Sequence, residues 1–293
     1  MINLSLYLKM LRIRQWLKNL LVFLPAFIFP SEINALNFYS LFITFGLFCC
    51  SASLVYIVND WTDRKADALN KNKKNRPFAS NELKLRDAVI GFSFLGIIFL
   101  FLTVEMYKIS PYVCLLVSFY LIQSFMYSFF LKNITLLEML IVSTGYSYRA
   151  LAGGLSINLL PSTWMLLTIF LASLFMISQK RLSDKNSIED VNMLRPSIKA
   201  YTDEFLNLIT AISAGSAIIS YILFTLSEYA QIKFQNPYLP ISSIFIIYST
   251  FRYLQVSLSS LNANDPVELI IKDNHIKACI LLCFVFIIIT NSL

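Results

Sequence analysis

The chain is short of charge, glycine and histidine. Charged residues make up 14% of its 293 residues, there are seven glycines, and the one histidine is His275. A soluble domain carries about 25% charge. At 57% hydrophobic residues and a mean hydropathy of +0.66, the apolar runs along the whole length exceed what one soluble core can hide. Crossing a bilayer hides them directly, at about 20 residues per helical span. The few glycines and the lack of alternating ten-residue segments exclude a β-barrel. Backbone groups in lipid must be satisfied within their own segment, so helices remain. One histidine leaves little room for histidine general-base chemistry. Cys49, Cys50, Cys114, Cys279 and Cys283 lie in apolar stretches without C-x-x-C spacing, and read as small apolar residues, not disulfides or metal ligands. No signal-peptide cleavage pattern follows the basic start of the chain. No Gly/Ser linker interrupts it, so a single domain over 1–293 is expected.

What is present is a series of about nine candidate spans: 16–31, 36–58, 87–107, 111–131, 134–157, 161–179, 205–228, 238–258 and 275–292. The expected fold is an all-α, polytopic membrane helical bundle. Pro25 marks a tilt or kink in the first span. With the N-terminus inside, the inner segments and their helix ends hold every Lys and Arg except Lys108, Lys233 and Arg149. This bias predicts a cytoplasmic N-terminus. It also accounts for the net charge of +7 through contact with anionic lipid headgroups, with no role for nucleic acid. Two inner loops, 59–86 and 180–204, are long and polar. Each follows an apolar helix ending in a charged cluster, which suggests two related halves.

At the end of the second span, Asn59, Asp60, Asp63 and Asp67 stand at i, i+1, i+4 and i+8. A helix continuing past the membrane surface places Asn59, Asp63 and Asp67 on one face, with Asp60 beside them. Carboxylates this close repel one another unless a cation intervenes. Oxygen ligands suit Mg²⁺, which is held by one or two carboxylates together with substrate phosphates. The alternative is a solvated helix end balanced by Arg64 and Lys65. An acidic cluster on the inner side runs against the positive bias, which favours a functional reading. Lys73 and Arg76 follow, a point charge and a fork suited to phosphate oxygens.

The pattern Asn59-Asp60-x-x-Asp63-x-x-x-Asp67 with Lys73-x-x-Arg76-Pro77 resembles the first motif of the UbiA superfamily of intramembrane prenyltransferases. Asn70-Lys71 stands where that family usually has His-Pro. Three further stretches resemble the decaprenyl-phosphate phosphoribosyltransferase branch. They are Arg14-Gln15-Trp16-Leu17-Lys18-Asn19, Tyr148-Arg149-Ala150-Leu151-Ala152-Gly153-Gly154, and Lys180-Arg181-x-x-Asp184 with Arg195-x-x-x-Lys199-x-Tyr201. In that branch an acid, usually Glu, stands at the position of Asp184. Loop 180–204 has no second D-x-x-x-D, the motif with which many prenyltransferases hold a second Mg²⁺. The resemblance implies an enzyme of a bacterial cytoplasmic membrane, facing the cytoplasm. It would move 5-phosphoribose from 5-phosphoribosyl 1-diphosphate to a polyprenyl phosphate, with Mg²⁺.

On this reading Asn59, Asp60, Asp63 and Asp67 hold the metal, and the three aspartates are the catalytic acids. Lys18, Lys73, Arg76, Arg149, Lys180, Arg181, Asp184 and Tyr201 bind substrate. A lipid phosphate is already anionic, so no strong base is needed. Arg149 lies inside a span, at a cost of at least about 2.5–3.5 kcal/mol. Its candidate partners are Glu138 or a substrate phosphate. Two other functions stay open: transfer of a prenyl chain from its diphosphate to a small acceptor, and transport across the membrane.

Overall fold

The computed structural model describes residues 4–28, 34–69, 74–186, 195–259, 269–270 and 272–291. These residues form helices and turns, and no strand occurs among them. The chain divides into two compact units, Met1–Lys132 with Tyr148–Pro161, and Asn133–Ser147 with Ser162–Leu293.

The first unit opens with α1 (Leu4–Leu11), a 3-10 helix (Ile13–Phe23) and α2 (Leu24–Ile28). Then follow α3 (Ala35–Thr62), α4 (Arg64–Leu69), α5 (Leu85–Tyr107) and α6 (Pro111–Phe129). Side chains set the starts of these helices. Asn34 caps α3 by accepting from the Asn37 amide at 2.9 Å, and Pro111 takes the first position of α6, where no backbone donor is needed. The apolar stretch of α3 is 72% buried and that of α5 only 17%. So α3 is the axis of this unit, and α5 exposes Phe94, Ile97, Leu100, Phe101 and Val104, an apolar face suited to lipid. Met10, Leu54, Ile57, Phe78 and Leu95 join α1, α3 and α5 in one apolar cluster.

The 3-10 helix is long for its kind, since runs beyond three or four residues are uncommon. Three residues per turn put side chains at i and i+3 in line. One row, Trp16, Asn19 and Val22, faces protein: the Trp16 indole donates to Ser53 Oγ at 3.1 Å and the Asn19 amide to Cys49 Sγ at 3.2 Å. Val22 meets Gly153, where a Cβ would lie 1.9 Å from the Val22 carbonyl oxygen. The row Arg14, Leu17 and Leu20 is exposed. The described part of the first expected span, residues 16–28, is therefore a 3-10 helix passing into α2, with the change of helix type at Leu24-Pro25.

Helix α7 (Leu137–Ser156) begins in the second unit and ends in the first. The second unit continues with α8 (Thr163–Asn186), α9 (Pro196–Lys199) and α10 (Asp203–Leu226). It ends with α11 (Glu228–Phe234), α12 (Ser243–Ser259) and α13 (Asn274–Asn291). Helix α8 packs along α10 through hydroxyl pairs, Ser178 with Thr210 at 2.8 Å and Thr168 to Ser220 at 3.1 Å. Small polar residues serve this purpose in lipid, where apolar packing alone gives little preference between helix and lipid. Among the described residues α3, α5, α6, α8 and α10 are long and apolar enough to cross a membrane, and Asn274–Thr290 is a shorter apolar helix.

Candidate functional site

The acidic cluster sits where α3 ends. Asp63 closes that helix, yet its amide still bonds to the Asn59 carbonyl at 2.9 Å and the Asp67 amide to the Asp63 carbonyl at 2.8 Å. The helical path thus runs nearly unbroken into α4. It brings together Asp60 and Asp67, seven residues apart, a pair the spacing places side by side along with Asp63. One nitrogen of Arg76 donates to Asp60 Oδ1 at 3.1 Å and to Asp67 Oδ2 at 2.6 Å. Asp63 turns to Lys132, whose Nζ lies 3.2 and 3.1 Å from its two oxygens. Asn59 is half-buried and Asp60 is only 4% exposed. Lys73 lies outside the described residues.

Asp60 also receives a fork from Arg12, with Nε donating to Oδ2 at 3.0 Å and a terminal nitrogen to Oδ1 at 2.5 Å. The Arg12 guanidinium rests over the Tyr56 ring at 4.8 Å. Its backbone is left-handed, φ 52° and ψ 47°, a conformation costing roughly 1–2 kcal/mol outside glycine. Sequence reasoning singled out neither Arg12 nor Lys132. The signals were faint: a base two residues before Arg14-Gln15-Trp16, and a lone lysine between two spans.

Deeper along α3, Arg149 is buried in the first unit. Its Nε donates to Asn19 Oδ1 at 2.6 Å and a terminal nitrogen to Tyr120 Oη at 2.9 Å. The guanidinium lies 5.5 Å from the centre of the Phe48 ring and 5.0 Å from that of Tyr120. These contacts use aromatic faces and neutral oxygens. Lys18, next to Asn19, is half-buried on the 3-10 helix.

In the second unit Glu138 belongs to Arg181. Nε and a terminal nitrogen of Arg181 donate to the two Glu138 oxygens, both at 2.7 Å. The remaining nitrogen donates to Asp184 at 3.0 Å. Glu138 and Arg181 are buried, while Asp184 and Lys180 are partly exposed. Leu136, with a left-handed φ of 64°, donates its amide to Tyr201 Oη at 2.7 Å. Tyr201 thereby braces the turn that launches Glu138 into α7. Its ring stacks on Phe205.

A family model described as the UbiA prenyltransferase family matches residues 20–265. The chain belongs to that family. It is similar to the decaprenyl-phosphate phosphoribosyltransferase of Mycolicibacterium smegmatis, at 28% identity over 92% of this chain and 87% of the relative. It resembles the protein of that name in Corynebacterium glutamicum to the same degree, over 96% of this chain and 85% of the relative. Its fold matches a solved UbiA homolog of Archaeoglobus fulgidus, bound to GPP and Mg2+, with a TM-score of 0.72. That match covers 98% of this chain and all of the other at 18% identity.

In this UbiA-family chain the acids at the end of α3 suit a hard cation. Asp60 and Asp67 converge on a single positive group, the Arg76 guanidinium, and every donor in the set is oxygen. As they stand, no three acidic, histidine or cysteine side chains among the described residues are close enough together to enclose an ion, because Asp63 faces Lys132. The residue types and the convergence of Asp60 and Asp67 fit Mg²⁺.

Proposed function

We propose that this chain transfers 5-phosphoribose from 5-phosphoribosyl 1-diphosphate to a polyprenyl phosphate. The reaction belongs at the cytoplasmic face of a bacterial inner membrane, in a bundle of nine spans with its N-terminus inside. The observation that carries this reading is the contrast between the two charged helix ends. The end of α3 and the short α4 after it carry three aspartates, whereas α8 ends in Lys180 and Arg181 with the single acid Asp184. One acidic cluster suits one metal-bound diphosphate. Basic side chains suit a phosphate bound directly, and a donor and an acceptor that both carry phosphate ask for both. The likeness to relatives named decaprenyl-phosphate phosphoribosyltransferase supports the same substrates.

Asn59, Asp60, Asp63 and Asp67 would hold Mg²⁺, which supplies charge neutralisation for the leaving diphosphate. Arg76 and Lys73 assist with oxygens the metal leaves free. The bond from ribose C1 to the diphosphate oxygen breaks, and the diphosphate keeps the electron pair. An oxygen of the lipid phosphate forms the new bond to C1. That oxygen is already anionic, so no proton has to be removed. Lys18, Lys180 and the outer nitrogen of Arg181, now on Asp184, are assigned to the acceptor phosphate or the donor 5-phosphate. Arg149 is assigned to substrate on the same reading, and Tyr201 supports the Arg181 side. The prenyl tail lies among apolar side chains open to lipid.

Purified protein with labelled phosphoribosyl diphosphate, polyprenyl phosphate and Mg²⁺ should give a labelled lipid. Asp63→Ala should lower the rate at least about a hundredfold while the melting profile stays cooperative. Undiminished transfer without divalent metal would remove the assigned role of the aspartates. The fold neighbour bound to GPP and Mg2+ favours a second reading, prenyl transfer from a diphosphate. A larger melting shift with a prenyl diphosphate than with phosphoribosyl diphosphate would select it.

A further inference from the structure

Each described acid of the α3 cluster is matched to a base of the first unit: Asp60 to Arg12 and Arg76, Asp67 to Arg76, Asp63 to Lys132. Asp60 and Asp67 are almost fully buried. Buried carboxylates left unpaired are costly, and two of them side by side repel one another. The pairing removes both penalties in the absence of metal, but it also occupies the oxygens a metal would take. An Arg12 guanidinium released from Asp60 would in turn be a half-buried cation that has lost its anion. A diphosphate supplies that anion. Metal and diphosphate arriving together leave every charge matched: carboxylate with metal, base with phosphate.

We infer that Arg12 and Lys132 are place-holders for the metal, which leave Asp60 and Asp63 for the diphosphate when the metal–diphosphate pair binds. The inference rests on the metal–diphosphate reading of this cluster and holds for either donor, phosphoribosyl or prenyl. Arg12 is placed for it. Its fork covers both oxygens of Asp60, and its side chain is 22% exposed against 5% for Asp60, so the base sits on the outer side of the pair. Its left-handed backbone, held between α1 and the 3-10 helix, aims the guanidinium at the cluster. An observed outlier of this kind points to a functional demand. Lys132 is the simpler case: one ammonium spans both oxygens of Asp63 from the short turn after α6. A lysine is a compact, rotatable charge that can change partners with little loss of packing.

The consequence is an inversion of sign. For an ordinary structural base, removal weakens the site toward every ligand. For a place-holder, removal frees a carboxylate for the metal and deprives the diphosphate of a contact.

The test measures Mn²⁺ binding to the full chain in detergent by electron paramagnetic resonance, with and without inorganic diphosphate. Lys132→Gln and Arg12→Gln are compared with the unaltered protein. Both variants should bind Mn²⁺ alone more tightly, by about tenfold, since one competing positive charge is gone. Both should bind the Mn²⁺–diphosphate pair more weakly, by at least about fivefold. Should Arg12→Gln fail to fold, Lys132→Gln decides, because Lys132 is half-buried and its backbone carries no left-handed turn. Variants in which Mn²⁺ alone binds equally or more weakly, or in which the pair binds equally well, overturn the inference while leaving the metal site intact. An unaltered protein that binds no Mn²⁺ even with diphosphate overturns the metal–diphosphate reading as well.

Discussion

Removing Glu138 leaves the Arg181 guanidinium buried beside a gap. Loss of one partner of a buried pair costs about 3–5 kcal/mol, whereas replacing both by apolar residues of similar size is often close to neutral. Glu138→Ala should therefore lower the melting temperature sharply. Glu138→Leu with Arg181→Met should recover most of the loss while the proposed phosphoribosyl transfer stays impaired. Thermal unfolding and activity of the two proteins check this, and a double variant no more stable than the single would remove the pair from the account. At this scale the acids at the end of α3 were readable from spacing, because a near-continuous helix fixes which side chains neighbour one another. Their bases were not. Arg12 and Lys132 reach Asp60 and Asp63 across 48 and 69 residues of sequence, and no local rule encodes such distances. The same limit holds for Arg149, whose bonds to Asn19 and Tyr120 cross 130 and 29 residues of sequence.

The 3-10 helix shows what a hydropathy pattern reveals and what it hides. Residues 16–31 read as a short span with a kink at Pro25, because apolar content signals burial without signalling helix type. The three-residue period was in the sequence, with Trp16, Asn19 and Val22 in one row and Arg14, Leu17 and Leu20 in another. A row including Asn19 does not stand out as apolar, and the carbonyl that Gly153 admits is invisible without coordinates. Gly153→Ala places a Cβ against the backbone of Val22, which cannot yield as a flexible side chain would. A loss of about 1–3 kcal/mol or more is expected from such overpacking. Thermal melting should show it, and a variant as stable as the original would mean that the 3-10 helix moves away freely. The long helices α3, α5, α6, α8 and α10 were legible because each is a sustained apolar run. Helix α7 was legible less directly, since Arg149 and Gly153-Gly154 interrupt it.

For the whole molecule, the orientation proposed from the basic residues puts loop 59–86 in the cytoplasm and the turn at Lys108 on the opposite side. In a cysteine-free chain, Lys108→Cys should react with an impermeant maleimide on intact cells, and Ser80→Cys only after permeabilisation. The reverse pattern would invert the proposed orientation. The helical class and the resemblance of its motifs to one family could be read before any coordinates, since both rest on composition and short spacings. The division into two compact units rests on contacts between distant segments, which the expectation of a single domain over 1–293 does not describe. Which group is transferred depends on where phosphates bind, and that is a matter of chemistry performed. The most direct measurement is the mass of the lipid recovered after incubation with polyprenyl phosphate, phosphoribosyl diphosphate and Mg²⁺. The account predicts a lipid heavier by one phosphoribosyl group. An unchanged polyprenyl phosphate, alongside prenylation of an aromatic acceptor from a prenyl diphosphate, would contradict it.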